Sequence, residues 1–176
     1  MVPRFIKEKF GTSGYKKWLN ALPDRVRNAY KRGIVPYKWY PLKEYYLKPV
    51  EKLCDFFYHG DFQGALDVGR ADAEYALKGF LRLFIKFGTP NFLVKRASVI
   101  FPTYYKNSIM EVIENNQKGC LVRVTEFGKM EKINEYTIKG WMINALGMTG
   151  AKDVKVIVKQ KTFDDEPCTD FIISWK

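Results

Sequence analysis

Apolar residues recur at two different periods along this chain, and the switch between them outlines its fold. In the first hundred residues the spacing is three to four, the signature of helices with one buried face. The clearest case is Phe62 to Phe87, where Leu66, Gly69, Ala73, Ala76/Leu77, Phe80, Phe84 and Phe87 form one stripe. Glu74, Lys78, Arg82 and Lys86 follow another side, with Glu74–Lys78 and Arg70–Glu74 spaced as helix-surface ion pairs. Gly88 stops this helix, and Thr89-Pro90 reads as an N-cap and first-turn proline of a further helix running toward Phe101-Pro102. Upstream, Asp24 to Arg32 is a predicted helix closed by Gly33. Pro41 opens another, which Pro49 should kink before it ends near Gly60. Residues 1–22 read as an arm with a short helical turn near Trp18.

After Tyr105 the period becomes two. Met110, Val112 and Glu114 alternate with Ile109, Glu111 and Ile113; Asn115 to Gly119 is a predicted turn; Cys120, Val122 and Val124 then alternate with Leu121, Arg123 and Thr125. Helical spacing returns over Lys132 to Met148, with a bulky face (Ile138, Trp141, Met142, Ala145, Met148) and a small one (Gly140, Asn144, Gly147) suited to close packing. A second hairpin follows, with Val154, Val156 and Val158 facing one way and Lys155, Ile157, Lys159 and Lys161 the other. Asp164 to Pro167 turns the chain into Thr169–Trp175. The expected fold is α+β: N-terminal helices followed by a ββαββ unit, its four-stranded, mainly antiparallel sheet carrying helices on one face and lysines on the wetter one. Two regions are expected, a basic aromatic arm over residues 1–40 packed on a single α+β domain over residues 41–176.

Charge sharpens this division. Of the net +11, residues 1–53 carry most, with 13 Lys and Arg against 4 Asp and Glu. Aromatics interleave these cations, and Lys16, Lys17, Trp18, Arg25, Arg27, Lys31, Arg32 and Lys38 are a candidate partner surface. Such a mixture suits nucleic acid, an acidic protein or an anionic membrane, and equally a solvated basic face. The longest stretch free of Asp, Glu, Lys and Arg, Gly140 to Ala151, is far shorter than the roughly 20 residues of a spanning helix. With charges in the first ten residues and three isolated cysteines (Cys54, Cys120, Cys168), a cytoplasmic, reduced setting is expected.

Catalytic patterns are missing. The chain has no phosphate-binding glycine loop, nucleophile elbow or metalloprotease motif, and His59 is its only histidine. Asp164, Asp165 and Glu166 lack the alternating oxygen ligands of a calcium loop. No enzyme activity, metal or cofactor is expected. The bulky apolar set Phe80, Phe84, Phe87, Phe92, Trp141 and Met142 is the candidate pocket for a small hydrophobic ligand.

The C-terminal wording is specific enough to compare. Lys139-Gly140-Trp141, Gly150-Ala151-Lys152-Asp153-Val154 and the closing run from Asp164 through Cys168 to Trp175 resemble the end of 4-vinyl-reductase-type sensor domains. Those domains share a fold with haem-based NO sensors and with TRAPP subunits of vesicle tethering. Upstream, Trp39-Tyr40-Pro41-Leu42, Gly69-Arg70, Phe87-Gly88-Thr89-Pro90 and Met110-Glu111-Val112 are similar to an uncharacterised bacterial family with the same ending. Zinc-binding members carry a cysteine where this chain has Gln160, and haem-binding relatives carry a Tyr-x-Ser-x-Arg motif that no tyrosine here begins. The resemblance therefore implies the scaffold, an apolar ligand or a homodimer or other protein partner, and neither zinc nor haem. The function expected is a non-enzymatic sensor or scaffold domain in bacterial signalling. The alternative is an interaction module whose basic N-terminal third grips an acidic protein, nucleic acid or membrane.

Overall fold

The computed structural model describes residues 1–35, 38–79, 88–163 and 166–176. Its elements are α1 (Val2–Asn20), α2 (Asp24–Arg32), a π-helical turn (Lys43–Leu47) running into α3 (Lys48–Phe57), and α4 (Gln63–Lys78). There follow α5 (Pro90–Val94), α6 (Ala97–Ile100), a 3-10 turn (Phe101–Thr103), β1 (Ile109–Asn116), β2 (Gly119–Thr125), α7 (Lys132–Met148), β3 (Lys155–Phe163) and β4 (Glu166–Ser174). No helix among the described residues is long and apolar enough to cross a membrane.

The two hairpins join through β2 and β4 into one antiparallel sheet of order β1-β2-β4-β3. Period-two alternation sets its faces. Met110, Val122, Val124, Val156, Phe171 and Ile173 are buried beneath α7, which contributes Ile138, Met142, Ala145 and Leu146. Lys155, Lys159 and Lys161 are exposed opposite. On that outer face Asp170 is fully buried yet ionised, because Arg123 (2.7 and 3.1 Å) and Lys161 (2.8 Å) from the flanking strands cover it. The first turn is tighter than its composition suggests. Asn116 already pairs with Gly119, and the Asn116 side chain accepts the Lys118 amide (3.0 Å), an Asx turn.

Helices α4 and α7 touch backbone to backbone. A Cβ on Gly69 would lie 1.9 Å from the Thr137 carbonyl oxygen, and one on Gly140 would lie 2.0 Å from that of Leu66. Glycine is required at both by this approach. Of the three residues in the predicted small face, Asn144 instead donates to the Arg70 carbonyl (2.8 Å), and Gly147 faces open space.

The N-terminal region departs from the expected arm. Residues 2–20 are helical apart from a break at Gly11 (φ 70°), a backbone conformation suited to glycine. Val2, Phe5, Ile6, Trp18, Leu19, Leu22 and Val26 share a core with Val50 and Leu53 of α3 and Val68 of α4. The broken helix hid this burial, because its apolar residues fall out of phase across Gly11. At Pro49, where a kink is expected, a π turn runs directly into α3. The Lys48 amide bonds the Lys43 carbonyl, and the Tyr45 carbonyl, which a proline four residues on cannot reach, accepts the Tyr30 hydroxyl at 2.5 Å. Helix α4 ends at Lys78, with Gly79 out of helical conformation. The expected continuation to Phe87 falls on residues 80–87, outside the described residues. Thr89 caps α5 by accepting the Phe92 amide.

Candidate functional site

A cavity of about 490 Å³ opens between the N-terminal helices and the α7–sheet unit. Segments from across the chain converge on it. Tyr30 comes from α2; Trp39 and Tyr40 precede the π turn, which supplies Tyr45 and Tyr46; α4 supplies Gly69 and Asp72. Leu93, Val94, Ala97 and Ile100 line it from α5 and α6, followed by Tyr104 and Tyr105, and α7 adds Ile138, Trp141 and Met142. Aliphatic and aromatic carbon dominates this wall, as in pockets for small organic molecules.

Its chemistry centres on Asp72. This residue sits within the apolar stripe of α4, three residues after Gly69 and four before Ala76, and is 9% exposed. Oδ2 accepts the Tyr46 hydroxyl at 2.8 Å, while Oδ1 has no hydrogen-bond partner among the described residues. Burial pushes the carboxyl up to about 6, opposed by the terminal amine of Met1 and by the Tyr46 hydroxyl. Burial also raises the phenols of Tyr30, Tyr46, Tyr104 and Tyr105, and the Asp72 charge raises each of them further. Four phenols thus line the same cavity as this carboxylate, one of them bonded to it. Two are fixed by their own bonds, Tyr30 to the Tyr45 carbonyl and Tyr105 to Asn134 Oδ1 (3.2 Å).

The predicted pocket residues divide. Trp141 and Met142 line the cavity. Phe92 is 36% exposed on α5, beside the Arg96 guanidinium (5.3 Å from its ring), and does not line it. Phe80, Phe84 and Phe87 lie outside the described residues. Sequence reasoning missed Asp72 and the tyrosines, although a lone aspartate at helical spacing inside an apolar stripe was the available signal.

The predicted partner surface also divides. Lys16, Lys17, Arg25, Lys31 and Arg32 are exposed on α1 and α2. Arg27 is half-buried, bonded to Asp24 and to the Asn20 carbonyl (3.1 Å). Lys38 lines the cavity mouth. Trp18 corrects the expectation. It is 0% exposed and donates its indole N–H to the Pro49 carbonyl at 2.8 Å, so it cannot stack on a partner.

Other polar groups are structural. Asp67 is held by Lys9 (2.7 Å), Tyr58 (2.9 Å), Gln63 (2.8 Å) and Arg70 (3.4 Å), fastening α1 to α4. Arg70 therefore pairs with Asp67 and not with Glu74, which takes Lys78 as expected. Gln160, at the position of a zinc-family cysteine, donates to the Met130 carbonyl (2.8 Å) and Glu135 (2.5 Å). Among the described residues no cluster of His, Cys, Asp and Glu could hold a metal ion.

Haem fits this lining poorly. Protein haem iron takes imidazole, thiolate, thioether or phenolate ligands. Among the described residues no histidine or cysteine lines the cavity: His59 is exposed in the α3–α4 loop, the thioethers of Met110 and Met142 therefore lack the histidine that accompanies a methionine ligand in cytochromes c, and burial holds the phenols of Tyr30, Tyr46, Tyr104 and Tyr105 protonated.

No protein-family model and no curated protein sequence matches the chain. Solved structures do. A Fe(II) unliganded H-NOX protein from K. algicida matches with a TM-score of 0.72 at 12% identity, over 99% of this chain and 92% of that one. An H-NOX protein from S. oneidensis in the Fe(II)NO ligation state matches with 0.67 at 13%, over 99% and 95%. An oxygen-binding H-NOX domain related to soluble guanylate cyclases matches with 0.68 at 14%, over 99% and 91%. Over nearly its whole length, the chain has the H-NOX fold.

Proposed function

We propose that this chain is a non-enzymatic sensor domain that uses the H-NOX scaffold to enclose a small, largely apolar organic ligand in place of haem. The observation that carries this reading is the aromatic and aliphatic cavity of about 490 Å³, a size typical of small-molecule sites. Its position suits signalling. The lining draws on both the N-terminal helices and α7, so an occupant that contacts both biases their packing, and the ligand acts by its differential affinity for two arrangements.

Neutral n-octanol is a suitable probe. It should bind the purified chain in a saturable, one-to-one manner by ligand-observed NMR. Ala97→Trp, which places an indole in the cavity from its α6 wall, should abolish binding while leaving the unfolding temperature near that of the parent. Absence of saturable octanol binding, or equal binding by Ala97→Trp, overturns the reading. Haem added to the same protein should give no saturable one-to-one complex.

A second reading rests on Lys16, Lys17, Arg25, Lys31 and Arg32, exposed on two consecutive helices. They suit an acidic protein partner, which would receive the signal at the helical layer.

A further inference from the structure

Two buried polar groups on the cavity wall lack a hydrogen-bond partner among the described residues, the Trp141 indole N–H and half of a buried carboxylate, and the charged one is the costlier to leave unmatched. Removing an unpaired charge from water is costly, and buried charges in proteins are ordinarily paired and hydrogen-bonded. Asp72 has the Tyr46 hydroxyl on Oδ2 and nothing on Oδ1 among the described residues. No lysine, arginine or terminal amine lies within ion-pair distance of it there. Lys38 and Met1 line the same cavity without forming an ion pair with it.

The surroundings of that oxygen are selective. Tyr30, Tyr46, Tyr104 and Tyr105 all sense the Asp72 charge, and Tyr40, Tyr45 and Trp141 line the same space. Aromatic faces carry negative quadrupole and attract organic cations, most strongly when desolvated. Anions meet the opposite situation, since a carboxylate already occupies the site. The chemistry that satisfies both the orphaned acceptor and the rings is an ammonium group bearing at least one N–H.

We propose that the ligand is a protonated organic amine with an apolar body, its N–H directed at Asp72 Oδ1 and its charge held among the cavity's aromatic rings. This rests on the cavity reading above and specifies the ligand that the cavity selects.

The test compares n-octylamine with n-octanol, chains of equal length that differ in the terminal group, by calorimetry on the full chain at neutral pH. Octylamine should bind at least about tenfold more tightly, as expected for a hydrogen bond to a charged group. Asp72→Asn should remove that preference, so that the two probes bind with equal affinity. A measurement that needs no variant is the carboxyl 13C resonance of Asp72, which should shift further on adding octylamine than on adding octanol. In chain carrying an N-terminal acetyl group, the preference should persist or grow, because Met1 then offers no competing ammonium. Equal affinity for the two probes, a preference that survives Asp72→Asn, an Asp72 resonance that shifts no further with octylamine than with octanol or loss of the preference on acetylation overturns the inference. If both probes bind equally, the cavity reading stands and the ammonium inference falls. If neither binds, the cavity reading itself fails.

Discussion

Gly140→Ala should separate the two central helices, and its cost follows from one contact. The added Cβ would meet the Leu66 carbonyl oxygen at 2.0 Å, the carbonyl carbon at 2.9 Å and Cα at 3.1 Å, whereas ordinary contact begins near 3.4 Å. All three atoms are helical backbone, so no side-chain rotation relieves the clash. The backbones must part by about 1.4 Å. A gap of about 0.5–1 Å already forfeits a quarter to a half of a dispersion contact, and overpacking in cores costs about 1–3 kcal/mol. Alanine returns about 1 kcal/mol of helix propensity over glycine. The net expectation is destabilisation of about 2 kcal/mol, or about 4–8 °C in unfolding temperature for a chain of this size. Gly147→Ala on the same helix is the control. No atom lies within 4 Å of its added Cβ, so it should be neutral or stabilise by up to about 1 kcal/mol. Urea denaturation with a common m-value measures both. Equal stability of Gly140→Ala and the parent, or equal loss in the two variants, refutes the account of the α4–α7 contact.

Asp72→Asn should stabilise the ligand-free chain at neutral pH. The folded-state pKa is raised from 3.8 to about 6, so Asp72 contributes stability below pH 3.8 that is lost as pH rises to about 6. The ionised form therefore costs up to about 3 kcal/mol at neutral pH; the gain in the variant should shrink toward zero near pH 4, and a pH-independent difference in denaturation midpoints argues against it. Asp170 has the opposite sign. Its hydrogen bond from Arg123 lowers its pKa, so its stabilisation is present above the ordinary carboxylate range and lost as pH falls below it. Asp170→Asn should cost about 3 kcal/mol at neutral pH, with little difference from the parent in strong acid; an unchanged neutral-pH midpoint counts against the strand-bridging role. Lys16→Glu with Lys17→Glu and Arg32→Glu should weaken any acidic-partner complex and flatten its salt dependence while octanol binding persists; unchanged partner affinity removes the second reading.

Much of the fold was legible because it rests on local periodicity. The alternation of Val122 and Val124 with Arg123, and of Val156 with Lys155 and Ile157, assigns a buried and a wet side to each strand before any partner is known. The spacing over Lys132 to Met148 and the pairing of Gly33, Thr89 and Pro90 with helix ends report equally local rules of backbone conformation. These features survive because a one-residue error in register would turn an entire face outward.

What tertiary structure decided is what local rules cannot contain. Trp18 lies among lysines and reads as a surface ring, yet the Pro49 carbonyl, 31 residues away, gives its indole a buried partner. The π turn before Pro49 works because Tyr30 satisfies the Tyr45 carbonyl from another helix. Asp72 was visible as a polar interruption of an apolar stripe. Its half-satisfied carboxylate exists only because α2, the π turn, the segment after α6 and α7 bring four phenols and an apolar wall into the cavity it lines. Sequence determines which residues want burial through side-chain transfer energies and spacing. Which polar groups are left unpaired inside depends on chain segments distant in sequence meeting in space, and that unpaired oxygen is where the proposed ligand is chosen.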